Sequence, residues 1–210
     1  MNPTLLKKSF IARAKTLAHV MTRSTNVAVT VSGNQAFNSG GAINIPSGDF
    51  NDPEWVKMVQ GWIDHELGHE KHTDMTFFKS YARKGKLHMD LLNVIEDVRM
   101  EKAVGNEFPG ARQNLATLAE LAVKRNLFAD PTNCTHPLTA VFSLLLYRGR
   151  AMVIGQTCLR GFANTALLEV SKHFGAEFAQ KLSTICDRIE KTHSTRDAAV
   201  PRSGRIVVTT

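Results

Sequence analysis

The sequence predicts an α+β protein that is mostly helical, with a small β-sheet or hairpin beside an active-site helix. Three observations predict this class. The chain has 210 residues, of which 43% are hydrophobic, so it can bury a core as globular proteins do. Alternating β-branched residues are confined to a short region before Pro46. Amphipathic helical patterns occupy most of the remaining sequence.

The N-terminal region is predicted to form one helix followed by two strands. Residues 5–23, "LLKKSFIARAKTLAHVMTR", have the pattern of a basic amphipathic helix, and the first acidic residue in the chain is Asp49. An organelle transit peptide has the same pattern. The alternating stretch "NVAVTVSG" ends at a glycine and predicts a strand. A second short strand is expected over Ala42–Ile45, before a proline.

A long helix is predicted to follow, because "NDPEWVKMVQGWIDHELGHEKH" begins with several helix-start signals. Asp52 is suited to the N-cap, Pro53 to the first helical position and Glu54 to the first turn. The helix is expected to run to about His72, where its polar end meets "TD".

The second half of the chain is predicted to be helical. One helix should run from about His88 to Val104 and stop at Gly105, with Pro109 just beyond. Several helices are expected over residues 111–190, and the sequence loses its helical periodicity from Lys191. We therefore expect one domain over residues 1–190, with a catalytic core at 27–105 and a helical part at 111–190. Residues 191–210 should form a tail or linker.

Composition limits the classes of function. The net charge of +7 makes a nucleic-acid partner conceivable, but the basic residues are spread along the chain rather than gathered in one tract. Three widely separated cysteines indicate neither a disulfide framework nor a cysteine zinc cluster. The apolar stretch "LTAVFSLLLY" is too short to span a bilayer. A soluble cytoplasmic protein without a membrane partner is expected, and targeting to an organelle through the basic helix is the alternative.

Three residues of the long helix have the spacing of a metal site. His65 and His69 are four residues apart, so both imidazoles lie on one helix face and can reach a single ion. Glu66 lies beside them and completes HExxH, in which two histidines bind Zn²⁺ and the glutamate accepts a proton from metal-bound water. The residues Asp64, Glu70 and Lys71 fall on other faces and are predicted to be solvated.

A third protein ligand is required, and "LLNVIEDVRMEKAVG" supplies the first candidate. Glu96 lies at the edge of an apolar face, where a carboxylate is costly unless it is paired or bound to a cation. His88 ranks second, Asp97 third and His72 last. The residues expected to orient the ligands and balance their charge are Asp97, Arg99 and Glu101.

Together these two segments resemble known proteins. "DHELGHEKHTD" followed by "LLNVIEDVRMEKAVG" resembles the gluzincin class of zinc metallopeptidases, in which a glutamate from a following helix completes the HExxH site. The E-D-x-R-x-E pattern is also similar to the region that precedes the von Willebrand factor A domain in cobaltochelatase-subunit-type and related phage or bacterial proteins. The resemblance covers roughly residues 27–105.

The resemblance implies a minigluzincin-like core. One zinc ion would be bound by His65, His69 and Glu96, and Glu66 would be the general base. The strand of Ala42, Ile43, Asn44 and Ile45 would be the edge that pairs with an extended peptide. A von Willebrand factor A domain with its DxSxS motif is not seen in this sequence, so a partner protein carrying that domain or an ATPase is expected to supply it.

Two functions are consistent with these residues. The leading hypothesis is a zinc-dependent metalloendopeptidase that acts on a peptide or protein substrate through metal-activated water. The alternative is a non-catalytic, metal-stabilised structural or adaptor module that binds protein or nucleic-acid partners. An open fourth position on the metal would favour the first hypothesis, and a closed one would favour the second.

Overall fold

The computed structural model describes residues 3–23, 27–39 and 41–199. It is mostly helical with one small sheet, which confirms the predicted α+β class. The strands are β1 (Ala28–Val31), β2 (Phe37–Asn38) and β3 (Ala42–Ile45). The helices are α1 (Pro3–Thr22), α2 (Pro53–His72), α3 (Met75–Tyr81), α4 (Lys86–Glu107), α5 (Pro109–Lys124), α6 (Pro137–Arg148), α7 (Arg160–Phe174), α8 (Ala176–Arg188) and α9 (Thr195–Ala199).

The sheet has the strand order β1-β3-β2. β1 runs parallel to β3, with Ala28 opposite Ala42, and β2 runs antiparallel to β3. The prediction that Ala42–Ile45 forms an open edge is therefore wrong, because β3 is the central strand and both its neighbours use its main-chain groups. The Asn44 side chain donates to the Ser32 and Gln35 carbonyls at 2.9 and 2.8 Å, so it fastens the loop between β1 and β2.

The predicted start of α2 is confirmed. Oδ1 of Asp52 accepts a hydrogen bond from the Glu54 main-chain N–H at 2.9 Å, and Pro53 occupies the first helical position. Arg125 donates to both acidic side chains, and its hydrogen bond to Asp52 lowers the pKa of that carboxyl. The helix ends at His72, as the sequence predicts, and the Thr73 N–H donates to the His69 carbonyl at 3.0 Å.

The predicted end of α4 is wrong, because the helix continues through Gly105 to Glu107. Gly105 instead allows a close approach by Arg112: a Cβ atom on this glycine would lie 3.3 Å from the Arg112 Cβ. Arg112 Nε also donates to the Gly105 carbonyl at 3.0 Å. The glycine therefore serves the packing of α4 against the start of α5 rather than ending the helix.

Backbone contacts divide the chain into two compact units, the first comprising Met1–Met75 with Ala103–Leu127 and the second Thr76–Lys102 with Phe128–Thr210. In the first, α1 packs on α2 and β1, and α2 packs on α5. In the second, α6, α7 and α8 pack on one another. A further apolar cluster of the second unit includes Leu92, Val98 and Ile189.

The predicted boundary between a domain of residues 1–190 and a tail stays a prediction. Within the predicted tail, residues Thr195–Ala199 form α9. Ala198 belongs to the apolar cluster with Leu92 and Val98. Residues 200–210 lie outside the described part of the chain.

One helical stretch among the described residues, Pro137–Ile154, is long and apolar enough to cross a membrane, with a mean hydropathy of 1.3. Half of the stretch is buried inside the protein. A core helix of a soluble protein has the same properties, so this stretch is weak support for a membrane span.

Replacing Gly61 by alanine should destabilise the contact between α2 and α5. A Cβ atom at this position would lie 2.6 Å from the Leu118 Cβ and 2.9 Å from the Asn114 carbonyl oxygen. Overpacking of this kind costs about 1–3 kcal/mol, which urea unfolding would measure. The control is Gly161→Ala in α7, where no atom lies within 4 Å of the added Cβ. Equal stabilities of the two variants would contradict the close contact.

Candidate metal centre

The two histidines of α2 are arranged as a pair of metal ligands. Their Nε2 atoms lie 3.2 Å apart, and the two rings meet nearly edge to face, with an interplanar angle of 79°. Two nitrogen ligands bound to one tetrahedral ion at about 2.0–2.1 Å would be separated by about 3.3 Å. The distance between His65 and His69 therefore fits a single shared ion.

A neighbouring threonine orients His69. Nδ1 of His69 lies 3.0 Å from the Thr73 Oγ1, one turn further along the chain. A proton on Nδ1, donated to this hydroxyl, leaves the lone pair of Nε2 available to a metal. Thr73 is itself fixed, because its main-chain N–H donates to the His69 carbonyl.

The two histidines of α2 supply two ligands, and we refer to His65 and His69 as the metal-binding group. A third ligand from α4 is an expectation of the sequence, in which Asp97 ranks third among the candidates. The ligand set of His65, His69 and Glu96 stays a prediction, but the structure places Glu96 in a different environment.

Glu96 is completely buried and carries an internal counter-charge. Its two oxygens accept hydrogen bonds from Arg99 Nε at 2.7 Å and Arg99 Nη2 at 2.6 Å. The Thr195 hydroxyl donates to the same carboxylate at 2.9 Å. A carboxylate at this position needs a partner or a cation, and the guanidinium one turn away provides the positive charge.

Glu101, expected to support the metal ligands, also lies in a buried network. Arg150 Nη2 lies 2.7 Å from Glu101 Oε1, and Gln156 Nε2 donates to Oε2 at 2.9 Å. Arg150 comes from a π-helical segment, Gly149–Ile154, that follows α6. Arg99 and Glu101 therefore fix α4 through partners of their own unit.

Glu66 and Glu70 connect α2 to the sheet region. Glu66 is 7% exposed, and its main-chain carbonyl accepts a hydrogen bond from Asn38 Nδ2 at 2.9 Å. Glu70 Oε2 accepts hydrogen bonds from the same amide at 3.2 Å and from the Gly41 N–H at 3.0 Å. The prediction that Glu70 is solvated is therefore wrong, because its carboxylate fixes the loop between β2 and β3.

The predicted solvation of Asp64 and Lys71 is also wrong. Asp64 is only 2% exposed, and burial raises its pKa to about 6, opposed by a hydrogen bond from Asn114. Lys71 Nζ donates to the Met21 carbonyl at 2.9 Å and pairs with Glu107 at 3.0 Å. Both residues belong to helix contacts that the periodicity of α2 alone does not show.

The two remaining candidate ligands lie outside the metal-binding group. His72 Nε2 is 3.4 Å from Glu107 Oε2, which gives this side chain a carboxylate neighbour. His88 is exposed near the start of α4, and its ring lies beside Tyr81 at 6.4 Å between centroids. The pair of Nε2 atoms that lie 3.2 Å apart comes from His65 and His69 instead.

One known protein family matches most of the chain. Residues 8–187 match the family model described as Cobalamin biosynthesis protein CobT. The chain belongs to the CobT family. Searches of curated proteins and of solved structures found no match.

Membership of the CobT family corrects the functional expectations. CobT is a cobaltochelatase-type family, concerned with metal insertion, and no peptidase family matches the chain. The assignment to the gluzincins, the metalloendopeptidase activity and the peptide substrate are therefore wrong. The alternative, a structural or adaptor module, also finds no support. Proteins of this family handle metal ions and work together with partner proteins.

Sequence reasoning missed several residues of the buried networks. Arg150 and Gln156 lie about fifty residues beyond Glu101, and no local pattern connects them. Thr195 falls in the predicted tail, although a signal was present in "HSTRD". Ser194 Oγ accepts a hydrogen bond from the Asp197 N–H at 3.1 Å, which is the behaviour of a helix N-cap.

Arg99→Met should strongly destabilise the fold, because it leaves the Glu96 carboxylate buried without its counter-charge. Breaking such a pair by removing one partner costs about 3–5 kcal/mol, which denaturant unfolding would measure. The exposed pair of Lys86 and Asp90 on the same helix supplies the control: Lys86→Met should cost less than about 1 kcal/mol. Similar losses in the two variants would contradict a stabilising role for the buried pair.

Proposed function

We propose that this chain is a metal-handling subunit of a cobaltochelatase-type complex in cobalamin biosynthesis, and that His65 and His69, with Asp97 as the proposed third ligand, bind the divalent ion to be inserted. Cobalt is the substrate ion that the family indicates. The observation that carries the proposal is the 3.2 Å separation of the two Nε2 atoms.

The proposed ligands, imidazole nitrogens and a carboxylate oxygen, suit an ion that must be released. Imidazole and carboxylate ligands bind Co²⁺ and Zn²⁺, whereas thiolates are preferred in closed structural zinc sites. No cysteine belongs to the metal-binding group among the described residues. Three protein ligands leave a coordination position open, through which a tetrapyrrole nitrogen can approach the ion.

Glu66 is proposed as the proton acceptor of the transfer. Insertion of a divalent ion into a tetrapyrrole displaces two protons from ring nitrogens, of which Glu66 would accept one and solvent water the other. Glu66 adjoins His65 on α2 and is almost completely buried. In HExxH sites the glutamate beside the first histidine accepts a proton and is not a ligand, so Glu66 is assigned that role.

The complex is proposed to include a partner that carries a von Willebrand factor A domain or an ATPase, and to work in the cytoplasm. The family supports a protein partner in general terms.

The purified protein should bind about one equivalent of Co²⁺ through the histidine pair. Titration of metal-free protein, followed by visible absorption of the bound Co²⁺, would measure the binding. His65→Ala and His69→Ala should each abolish it, and Asp97→Asn should weaken it by at least about tenfold. Unchanged binding in both histidine variants would reject the site.

Two isosteric variants sharpen this test. Glu66→Gln should retain Co²⁺ binding, because Glu66 lies outside the ligand group. Glu96→Gln should lower stability but retain binding, since Glu96 is bonded to Arg99 and Thr195. Loss of the metal in Glu96→Gln but not in Asp97→Asn would instead assign Glu96 as the third ligand. His88→Ala controls for the removal of an exposed histidine.

The role of Glu66 separates binding from transfer. In a complex reconstituted with its partner subunits, Glu66→Gln should bind Co²⁺ normally but insert it at least about a hundredfold more slowly, as expected for loss of a general base. The rate would be followed through the absorption spectrum of the tetrapyrrole. A normal rate in this variant would remove Glu66 from the reaction.

A further inference from the structure

Helix α1 has two faces of different character. Its inner face is buried through Ala14, Ala18 and Met21. The opposite face carries an exposed row of residues spaced three or four apart, which we call the outer ridge. The outer ridge consists of Leu5, Ser9, Ala12, Thr16 and Val20.

Basic residues flank the outer ridge on both sides. By helical periodicity, Lys8 and Lys15 lie on one side and Arg13 on the other, and all three are exposed. None of them has an ion-pair partner among the described residues. Since the chain has no acidic residue before Asp49, α1 presents a positive charge that its own neighbours in the sequence do not offset.

Contacts with the rest of the first unit hold α1 in place. Lys71 Nζ donates to the Met21 carbonyl at 2.9 Å, and the Phe10 and Phe50 rings lie 5.5 Å apart. A helix that is already fixed loses little conformational entropy when a partner binds to it. The outer ridge is thus a preformed surface.

The composition of the outer ridge indicates its occupant. Leu5 is 60% exposed and Val20 is 62% exposed, whereas the three central residues are small. Small residues allow a second helix to approach closely, and spacings of three and four match the ridges and grooves of packed helices. Charges that flank such a seam select the partner helix.

Three other occupants fit this surface less well. A second copy of α1 would place like charges opposite one another, which is unfavourable. A lipid surface requires a broad face of large apolar side chains, whereas Ser9, Ala12 and Thr16 form the centre here. A nucleic-acid backbone would be contacted by basic and polar groups, whereas Leu5 and Val20, the large exposed side chains of the ridge, offer nothing to a phosphate.

We propose that the outer ridge of α1 is a docking surface for a helix of a partner protein, with small or apolar residues at its centre and acidic residues along both sides. The inference rests on the proposed function only in that a chelatase complex supplies such a partner. The surface is separate from the metal-binding group, and each can therefore fail without the other.

A pair of designed peptides provides the test. Both are helical and share a Leu/Ala seam, but one carries Glu at the flanking positions and the other carries Lys. Fluorescence anisotropy with the 210-residue chain should show at least about tenfold tighter binding of the Glu peptide. The preference should weaken as the salt concentration rises.

Variants that change the charge or the shape of the outer ridge test whether the peptides bind there. Lys8→Glu with Lys15→Glu should reverse the preference between the peptides, and Ala12→Trp should weaken binding of both without changing charge. The control, Lys57→Glu with Arg83→Glu, makes the same charge change at exposed positions elsewhere and should leave the preference intact. Circular dichroism would confirm that every variant is folded.

Several outcomes would overturn the proposal. They are equal binding of the two peptides, no binding of the Glu peptide at about 100 µM, and an unchanged preference in the Lys8→Glu, Lys15→Glu variant. The proposal would also be wrong if the chain bound phosphatidylserine vesicles or duplex DNA and did not bind the Glu peptide, because the surface would then recognise a lipid or a nucleic acid. His65→Ala should bind the Glu peptide normally, which separates this result from failure of the metal site.

Discussion

The buried pair of Glu96 and Arg99 is the constraint on which the second half of the fold depends. A carboxylate without solvent is several kcal/mol less stable than one in water unless a counter-charge and hydrogen bonds accompany it. Arg99 supplies the counter-charge from the next turn of α4, and Thr195 supplies a further hydrogen bond from α9. Because the buried carboxylate requires hydrogen bonds, Glu96 in the middle of the chain is bonded to Thr195, about a hundred residues further on. Glu101 imposes a second condition of the same kind through Arg150 and Gln156.

In the first unit, one helix serves both packing and chemistry. The apolar face of α2 includes Met58, Val59 and Leu67, which are completely buried. The next turns of this helix carry His65 and His69, so the position of the histidine pair follows from the same packing. Thr73 orients one ring, and Glu70 ties the loop between β2 and β3 to the helix. A rigid helix and a braced loop are suitable supports for metal ligands.

The HExxH motif of α2 shows which conclusions a sequence motif supports. The HExxH spacing places two imidazoles where they can share an ion, and this geometry is independent of the reaction that the ion takes part in. The association of the motif with peptide hydrolysis led to the wrong activity, and membership of the CobT family corrects it. Metal binding and metal transfer need the same nitrogen ligands, whereas peptide hydrolysis also needs a bound substrate and a stabilised oxyanion.

The sequence by itself determined the features that depend on near neighbours in the chain. The Asp52 cap, the extent of α2, the position of β3 and the facing of His65 and His69 all follow from contacts within about four residues. Only the tertiary structure decided that β3 is central, that α4 continues past Gly105, and that Glu96 pairs with Arg99 and Thr195. These outcomes depend on which buried groups meet after packing. Periodicity showed that the Glu96 carboxylate required a partner, and Arg99 supplies the counter-charge from the next turn. The hydrogen bond from Thr195, ninety-nine residues away, has no signal in the local pattern.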